Sequence, residues 1–581
     1  MPLSILLVNL FYPERHPTIG FPINIESLVG DLDGEFGDAV KVSVLDMQQP
    51  GVSIDTVLET ARRSRFDIVG VSVKTGQREI AEGIFEGLLA FPAATRPRYL
   101  MVGGYRPRVY HEEFAEKYPS VLVCIGEGEP TMRGMVEHLR GNLTLDQVPN
   151  LVFMRDGVLQ RTERRQHDLR TWHPPGNATL DFVLESGGVV YLETSRGCSW
   201  EKCTFCSRKF SAGTKPSTIP VDKLAASWAD FNRRGVRYVY CSDEDFLMNS
   251  HVHGRALGEA LVERGVGIEF WVQTTVDGVL QLGRASHTAG STPGTAGRRL
   301  NVLDADLLER DAFGNVNVVG QEIVDDDPVG RFDTGGTLAT LKKAGLRRIF
   351  FGLESGSGTQ LLRYRKGVTA EEGGQAVSIC RELGLDVEVG FIPLDPLATM
   401  DELRETVAYV KRHNLAQAAV KVLNVMCIQN GVAMFAKTKQ AGLITGERDV
   451  DTFLYPYTFA DRRVGEVAEW LHSWNRHGLS EFTYALRRLV DGDPANPVAT
   501  KVLRELRQLE FDFLAMLVDA APAEDVLIFD QCMQLRFDIM RRCMDAVEAG
   551  RMSDPKGFLA IAFEDSREWM LPGGTADVLR L

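Results

Sequence analysis

The sequence predicts an α/β protein: a doubly wound parallel sheet, then a partial (β/α)6 barrel, then a mostly helical C-terminal region. Three observations predict it. Residues 1–146 alternate five short apolar runs with helical periods, the pattern of strands joined by crossover helices. Residues 188–430 hold six further strand–helix units whose strands end in polar residues, as barrel strands do at their functional mouth. After residue 430 the apolar period is helical only. The expected divisions are 1–146, a linker with a small hairpin over 147–187, a barrel over 188–430 interrupted at about 281–333, and a helical domain over 431–581.

In the first domain the strands are expected at 5–8, 40–45, 68–73, 99–102 and 121–125, with helices such as 54–63 and 77–89 between them. This is a flavodoxin-like arrangement, which binds ligands at the carboxyl ends of its strands. The loops there are rich in small residues: Ser72 to Gly76 (with Lys74 and Thr75), Gly103-Gly104, and Gly126-Glu127-Gly128-Glu129. Glycines at such a place either let backbone amides approach a bulky ligand or simply form tight turns.

Next, 148–153 and 157–160 read as a hairpin, followed by the proline-rich Trp172-His173-Pro174-Pro175. Barrel strands are expected at 189–194, 238–241, 268–272, 348–353, 386–393 and 419–425. The second ends in Ser242-Asp243-Glu244-Asp245 and the fourth in Glu354-Ser355-Gly356. Residues 281–333 are rich in Gly, Ser, Thr and Asp without a period, which suits either a lid or a solvated insertion. Helical periods at 464–474, 481–490, 499–517 and 527–549 carry no catalytic cluster. Their leucines and aromatics are expected to form a core of their own and to cap the open side of the barrel.

Composition sets the outer bounds. A chain of 581 residues has room for two or three domains, and 44% apolar with 25% charged residues is an ordinary globular balance. A net charge of −14 argues against a nucleic-acid surface. The first nine residues read as a strand rather than a signal peptide, and no apolar run reaches the ~18 residues of a membrane span. Nine cysteines without a secretion signal point to a reducing cytoplasm.

Three of the nine, Cys198, Cys203 and Cys206, stand together in a loop after the first barrel strand, where Arg196-Gly197 makes the turn. Three thiolates could hold a cubane iron–sulfur cluster with one iron left open to an outside molecule. Zinc is a rival, although structural zinc takes four ligands and no second Cys-x-x-Cys follows. Three ordinary thiols are the third reading.

The cysteine loop resembles the signature of radical S-adenosylmethionine (SAM) enzymes, Cys-x3-Cys-x-aromatic-Cys, with Phe205 as the aromatic. It departs from that signature by one residue, since Ser199-Trp200-Glu201-Lys202 fill the first gap. Phe351-Gly352-Leu353-Glu354-Ser355-Gly356-Ser357, with Arg365-Lys366-Gly367 after it, resembles the fourth strand and turn of the same family. The glycine loops of the first domain are similar to those of the cobalamin-binding domain that precedes the barrel in one large subfamily. Some of those domains ligate cobalt through Asp-x-His-x-x-Gly; here His16 has no such aspartate and Gly20 stands one place late, so His16 is read as a loop residue.

The resemblance implies three cofactors. A 4Fe-4S cluster is expected on Cys198, Cys203 and Cys206, and SAM on its open iron. The SAM ammonium is assigned to Ser242, Asp243 and Glu244, its ribose to Glu354 and Ser355, and its adenine to Gly390 and Ile392. Cobalamin is assigned to Ser72, Lys74, Thr75, Gly103, Gly104, Gly126, Glu127, Gly128 and Glu129, with Lys74 near the corrin face. Solvated strand ends or helix caps are the plain alternative for each acid. The implied reaction is methylation of an unactivated carbon of a small-molecule or peptide natural-product intermediate, through a 5′-deoxyadenosyl radical and a methyl group carried by cobalamin. Ring contraction, cyclisation or oxidation without methyl transfer is the alternative, and a binding module without turnover is a third class. An electron donor such as flavodoxin or ferredoxin is expected, with no nucleic acid or membrane as partner.

Overall fold

The computed structural model is organised in its first part by β1 (Leu3–Asn9), whose Ile5, Leu6, Leu7 and Val8 are all buried. Helices cover both faces of its sheet, so the strand is a continuous apolar run rather than an alternating one. β2 (Val40–Asp46) and β3 (Ile68–Ser72) pair with it in parallel on either side. β4 (Tyr99–Gly103) and β5 (Val121–Cys124) continue the sheet beyond β3. The strand order reverses between β1 and β3, and a crevice opens there at the carboxyl ends. Helices α1 (Ile23–Phe36) and α5 (Gly128–Leu139) pack with Ile5 and Leu7 on one face. On the other face α2 (Ile54–Arg63), α3 (Arg78–Leu89) and α4 (Pro107–Lys117) pack with Leu6 and Val8. The structure describes residues 2–12, 18–210, 216–247, 251–285, 308–310, 316–318, 336–450, 452–476, 479–492, 496–554 and 557–566.

The hairpin expected in the linker is part of this sheet. Its strands β6 (Leu151–Arg155) and β7 (Val158–Arg161) add to β5 in antiparallel fashion, with Val123 opposite Val152. Leu151, Val152 and Phe153 are almost fully buried, so the hairpin covers an edge that β5 would otherwise expose.

The second sheet has six parallel strands in chain order: Tyr191–Leu192, Tyr238–Cys241, Glu269–Thr274, Leu346–Glu354, Asp386–Phe391 and Ala419–Lys421. Each strand lies beside the next in sequence, which makes a singly wound partial barrel. The helix Val276–Ala285 runs into the start of the expected insertion. Beyond it only the antiparallel pair Leu308–Arg310 and Val316–Val318 lies within the described residues.

The C-terminal helices do not keep a core to themselves. Arg462–Trp474, Leu479–Gly492, Pro497–Asp519 and Asp525–Glu548 share one continuous apolar core with the barrel. They also reach its strands through buried charges. Glu388, on the fifth barrel strand, accepts hydrogen bonds from Arg487 at 2.7 Å and Arg507 at 2.8 Å. Arg348 on the fourth strand donates to Asp491 at 2.8 Å. Burial pushes the Glu388 carboxyl up, but the arginines outweigh it and hold it at about 2. Among the described residues no helix is long and apolar enough to cross a membrane.

Candidate active site: a cleft shared by the two sheets

The carboxyl edge of the first sheet opens into a cavity of about 560 Å³ that the barrel closes from the other side. Leu7, Ile25, Met101 and Met132 give it an apolar part of its lining. Its walls are the small residues expected from the sequence: Ser72, Gly103, Gly104, Gly126 and Gly128. Two of these glycines are required by space. Gly104 has φ +99°, and a Cβ there would lie 2.8 Å from the Val73 carbonyl oxygen. At Gly126 a Cβ would lie 2.3 Å from the Asn150 side chain. An apolar lining with thin walls of this kind suits a flat, largely apolar group with polar attachments at the mouth.

The remaining loop residues of the first domain have local partners. Ser72 Oγ accepts from Asn24 Nδ2 at 2.6 Å, and Thr75 Oγ1 accepts from Arg106 Nε at 2.8 Å. The Lys74 amide donates to Gln77 Oε1, while burial of its ammonium group lowers the pKa against the opposing charge of Asp46. Glu127 and Glu129 turn towards the barrel. Glu129 Oε1 accepts from Arg196 Nη2 at 2.6 Å, and the same nitrogen donates to Glu193 Oε1 at 2.6 Å. Glu127 lies 3.7 Å from Arg196 Nη1 and accepts from the His167 amide. These acids therefore join the two sheets. Burial pushes Glu129 up, but Arg196 overcomes it and holds the carboxyl at about 2.

Arg196 leads directly into the cysteine loop. Cys198, Cys203 and Cys206 are free, half-buried thiols. Cys203 is pushed up to about 11 by burial, with the Lys366 ammonium opposing and both other thiols adding to the rise. Among the described residues no group of three His, Cys, Asp or Glu side chains converges as ligands of a single ion must. The loop is fastened to the turn after the fourth barrel strand. Thr204 donates from its amide to Tyr364 O at 2.9 Å and from Oγ1 to Arg363 O at 3.0 Å. Trp200 Nε1 donates to Arg365 O at 2.7 Å, and Phe205 stands edge-on to Tyr364 with ring centroids 5.3 Å apart. Within the first gap Glu201 has a left-handed φ of +45°.

The strand-end acids differ in their surroundings. Asp243 is 1% exposed. It accepts from the Thr194 amide at 3.1 Å, Thr194 Oγ1 at 2.7 Å and Ser195 Oγ at 2.5 Å, and burial pushes its carboxyl up to about 7. These bonds tie Asp243 to the strand that leads to the cysteines. Ser355 is buried, bonded to the Ser357 amide and Thr406 Oγ1. Ser242 and Glu244 line the cavity. Glu244 accepts from the Gly197 amide at 3.0 Å and pairs with Arg208. Glu354, at φ +68°, accepts from Lys366 Nζ at 3.0 Å, and its carbonyl oxygen accepts from the Ile392 amide at 2.7 Å. Gly390 lies opposite Gly352 and under Phe350. His16 lies outside the described residues.

Residues 17–136 match the B12 binding domain family. Nearly the whole chain, 98%, superposes on 85% of the cobalamin-dependent SAM radical enzyme OxsB solved with aqua-cobalamin and SAM bound, at a TM-score of 0.76 and 21% identity. The fold is that of the cobalamin-dependent radical SAM enzymes. The chain is also 28% identical over 424 residues to the 4′-phospho-dehydrooxetanocin synthase of Priestia megaterium, covering 70% of this chain and 51% of that protein. It is 20% identical over 301 residues to the hopanoid C-3 methylase of Methylococcus capsulatus, covering 51% and 47% respectively. The chain thus spans about half the length of these curated relatives.

Some contacts within this cobalamin-dependent radical SAM fold carry no signal in the sequence alone. Lys366 sits in the Arg-Lys-Gly turn quoted for the resemblance, and its position between Glu354 and the cysteines needed the fold to reveal it. Phe453 carried no signal: it is fully buried in the first domain, stacked on Tyr110 with centroids 4.9 Å apart. Trp200 belongs to the gap that breaks the signature. Its ring covers Gly367, where φ is +75° and a Cβ would lie 2.1 Å from the indole. Gly367→Ala is therefore expected to displace Trp200 and lower iron retention after reconstitution several-fold. Equal iron content in the variant and the parent would show that this contact does not hold the loop.

Proposed function

We propose that this chain is an enzyme of cobalamin-dependent radical SAM chemistry, methylating an unactivated carbon of a small-molecule or peptide intermediate in secondary metabolism. The observation that carries the reading is the shared cavity. One wall is the glycine-lined slot of a B12-binding sheet and the other is the rim of the three-cysteine loop. The donor set fits a 4Fe-4S cluster, because a cubane takes each thiolate on a different iron and leaves one iron for SAM. The slot fits the flat, apolar end of a corrinoid. Together these groups would supply a 5′-deoxyadenosyl radical and a methyl donor.

The chain's own residues have distinct tasks in this reading. Cys198, Cys203 and Cys206 ligate iron, and Lys366 keeps a positive charge beside them. Glu244 and Ser242, facing the cavity, take the ammonium group of SAM. Glu354 and Ile392 border the ribose and adenine. Tyr364, Met426, Ile428, Val432 and Met434 form an apolar cluster with Phe205 that keeps water from the loop. An electron donor of the flavodoxin or ferredoxin class reduces the site.

A second reading is favoured by one comparison, the 28% identity to a protein named as a synthase rather than a methylase. In it the same radical drives ring contraction, cyclisation or oxidation. Anaerobic turnover with methyl-deuterated SAM and metabolite extract separates the two. Label in a product carbon together with deoxyadenosine supports methylation. Deoxyadenosine without transferred label supports the second reading, and the absence of deoxyadenosine from reconstituted protein overturns both.

A further inference from the structure

We infer that Arg108, in the first turn of α4, holds the phosphodiester of the corrinoid's nucleotide loop. The inference rests on the cobalamin reading above and names a contact within that same slot. Cobalamin joins a flat, apolar benzimidazole to the corrin through a nucleotide loop that carries one negative charge. An occupant of this slot therefore brings an anion into a confined space, where it needs a partner.

Among the described residues, three cationic side chains line the cavity: Arg108, Arg196 and Arg208. Arg196 is committed to Glu129 and Glu193, and Arg208 to Glu244. Arg108 forms no ion pair among the described residues. Its Nη2 donates to the Gly126 carbonyl oxygen at 2.7 Å, which turns the guanidinium towards the Gly126–Gly128 wall. Its Nε is buried and has no hydrogen-bond partner. Glu127 stands near enough to act on Arg108 by charge, but its carboxylate already accepts from the His167 amide and faces Arg196. The guanidinium is left half-buried on the wall of the slot, with no ion-pair partner among the described residues. A phosphodiester there would supply that counter-charge, since guanidinium groups match phosphate oxygens in geometry as well as charge.

The test compares two corrinoids on the full-length apo chain. Hydroxocobalamin carries the nucleotide loop; dicyanocobinamide lacks both its base and its phosphate. Arg108→Gln is expected to weaken hydroxocobalamin binding about tenfold or more, the worth of one charge-assisted hydrogen bond, and to leave cobinamide binding unchanged. Arg108→Met, which keeps the long apolar stem, is read in the same way where the glutamine variant does not fold. An unchanged affinity for hydroxocobalamin, or an equal loss for both corrinoids, overturns the assignment. If the unaltered chain takes up neither corrinoid, the cobalamin reading itself falls.

Discussion

A chain with Cys198, Cys203 and Cys206 all changed to Ala is expected to hold no iron after anaerobic reconstitution, against about four irons in the parent. It should form no deoxyadenosine from SAM. The loss is expected to be complete because the loop supplies all three thiolates of the proposed cluster. Cys427, the exposed thiol outside the loop, belongs to another segment, and Cys427→Ala should retain full iron content. The fold should survive, since the loop is held by Thr204, Trp200 and Glu244 rather than by its sulfurs. Corrinoid uptake should also survive, because the slot is walled by β3, β4, β5 and α1. Iron analysis and the corrinoid spectrum of the same sample therefore give opposite answers. A triple variant with normal iron content would refute the cluster assignment.

Much of this arrangement is legible in the sequence, for physical reasons. A strand buried on both faces must be apolar throughout, so β1, β3 and β5 stand out wherever they are read. The barrel strands announce themselves by polar residues at one end. Direction is harder to read, because it depends on the parity of each residue along its strand. Tyr240, Ser242 and Glu244 alternate with the fully buried Cys241 and Asp243, so the side occupied by Cys241 also takes Asp243. Long-range partners leave no local trace. Nothing near Glu129 announces Arg196, which lies 67 residues away, and nothing near Tyr110 announces Phe453. The hairpin β6–β7 reads as linker in the sequence, because antiparallel addition to a parallel sheet cannot be read from the hairpin alone.

Arg196→Met should be the most destabilising single change at the junction of the two sheets. Arg196 is the shared cation of Glu129 and Glu193, each bonded at 2.6 Å, and removing it leaves both acids without that partner. Breaking a buried pair in this way costs about 3–5 kcal/mol. The sign of its pH dependence is also set. In the parent the Glu129 carboxyl sits at about 2, below its ordinary 4.5. Its contribution is complete above 4.5 and is lost as the pH falls towards 2. Without Arg196, burial is the largest remaining influence on this carboxyl, opposed by His167 and the Glu129 amide, and is expected to raise it. A raised carboxyl stabilises at low pH and loses that stabilisation as the pH rises, so the deficit of the variant should grow from pH 5 to pH 8. The chain has more than one folding unit, so melting midpoints are the proper measure, at about 2–4 °C per kcal/mol. Adding Glu129→Gln removes the unpaired charge and should recover part of the loss at pH 8. A deficit that is equal at both pH values and unrelieved by the second change would show that Arg196 acts through packing alone.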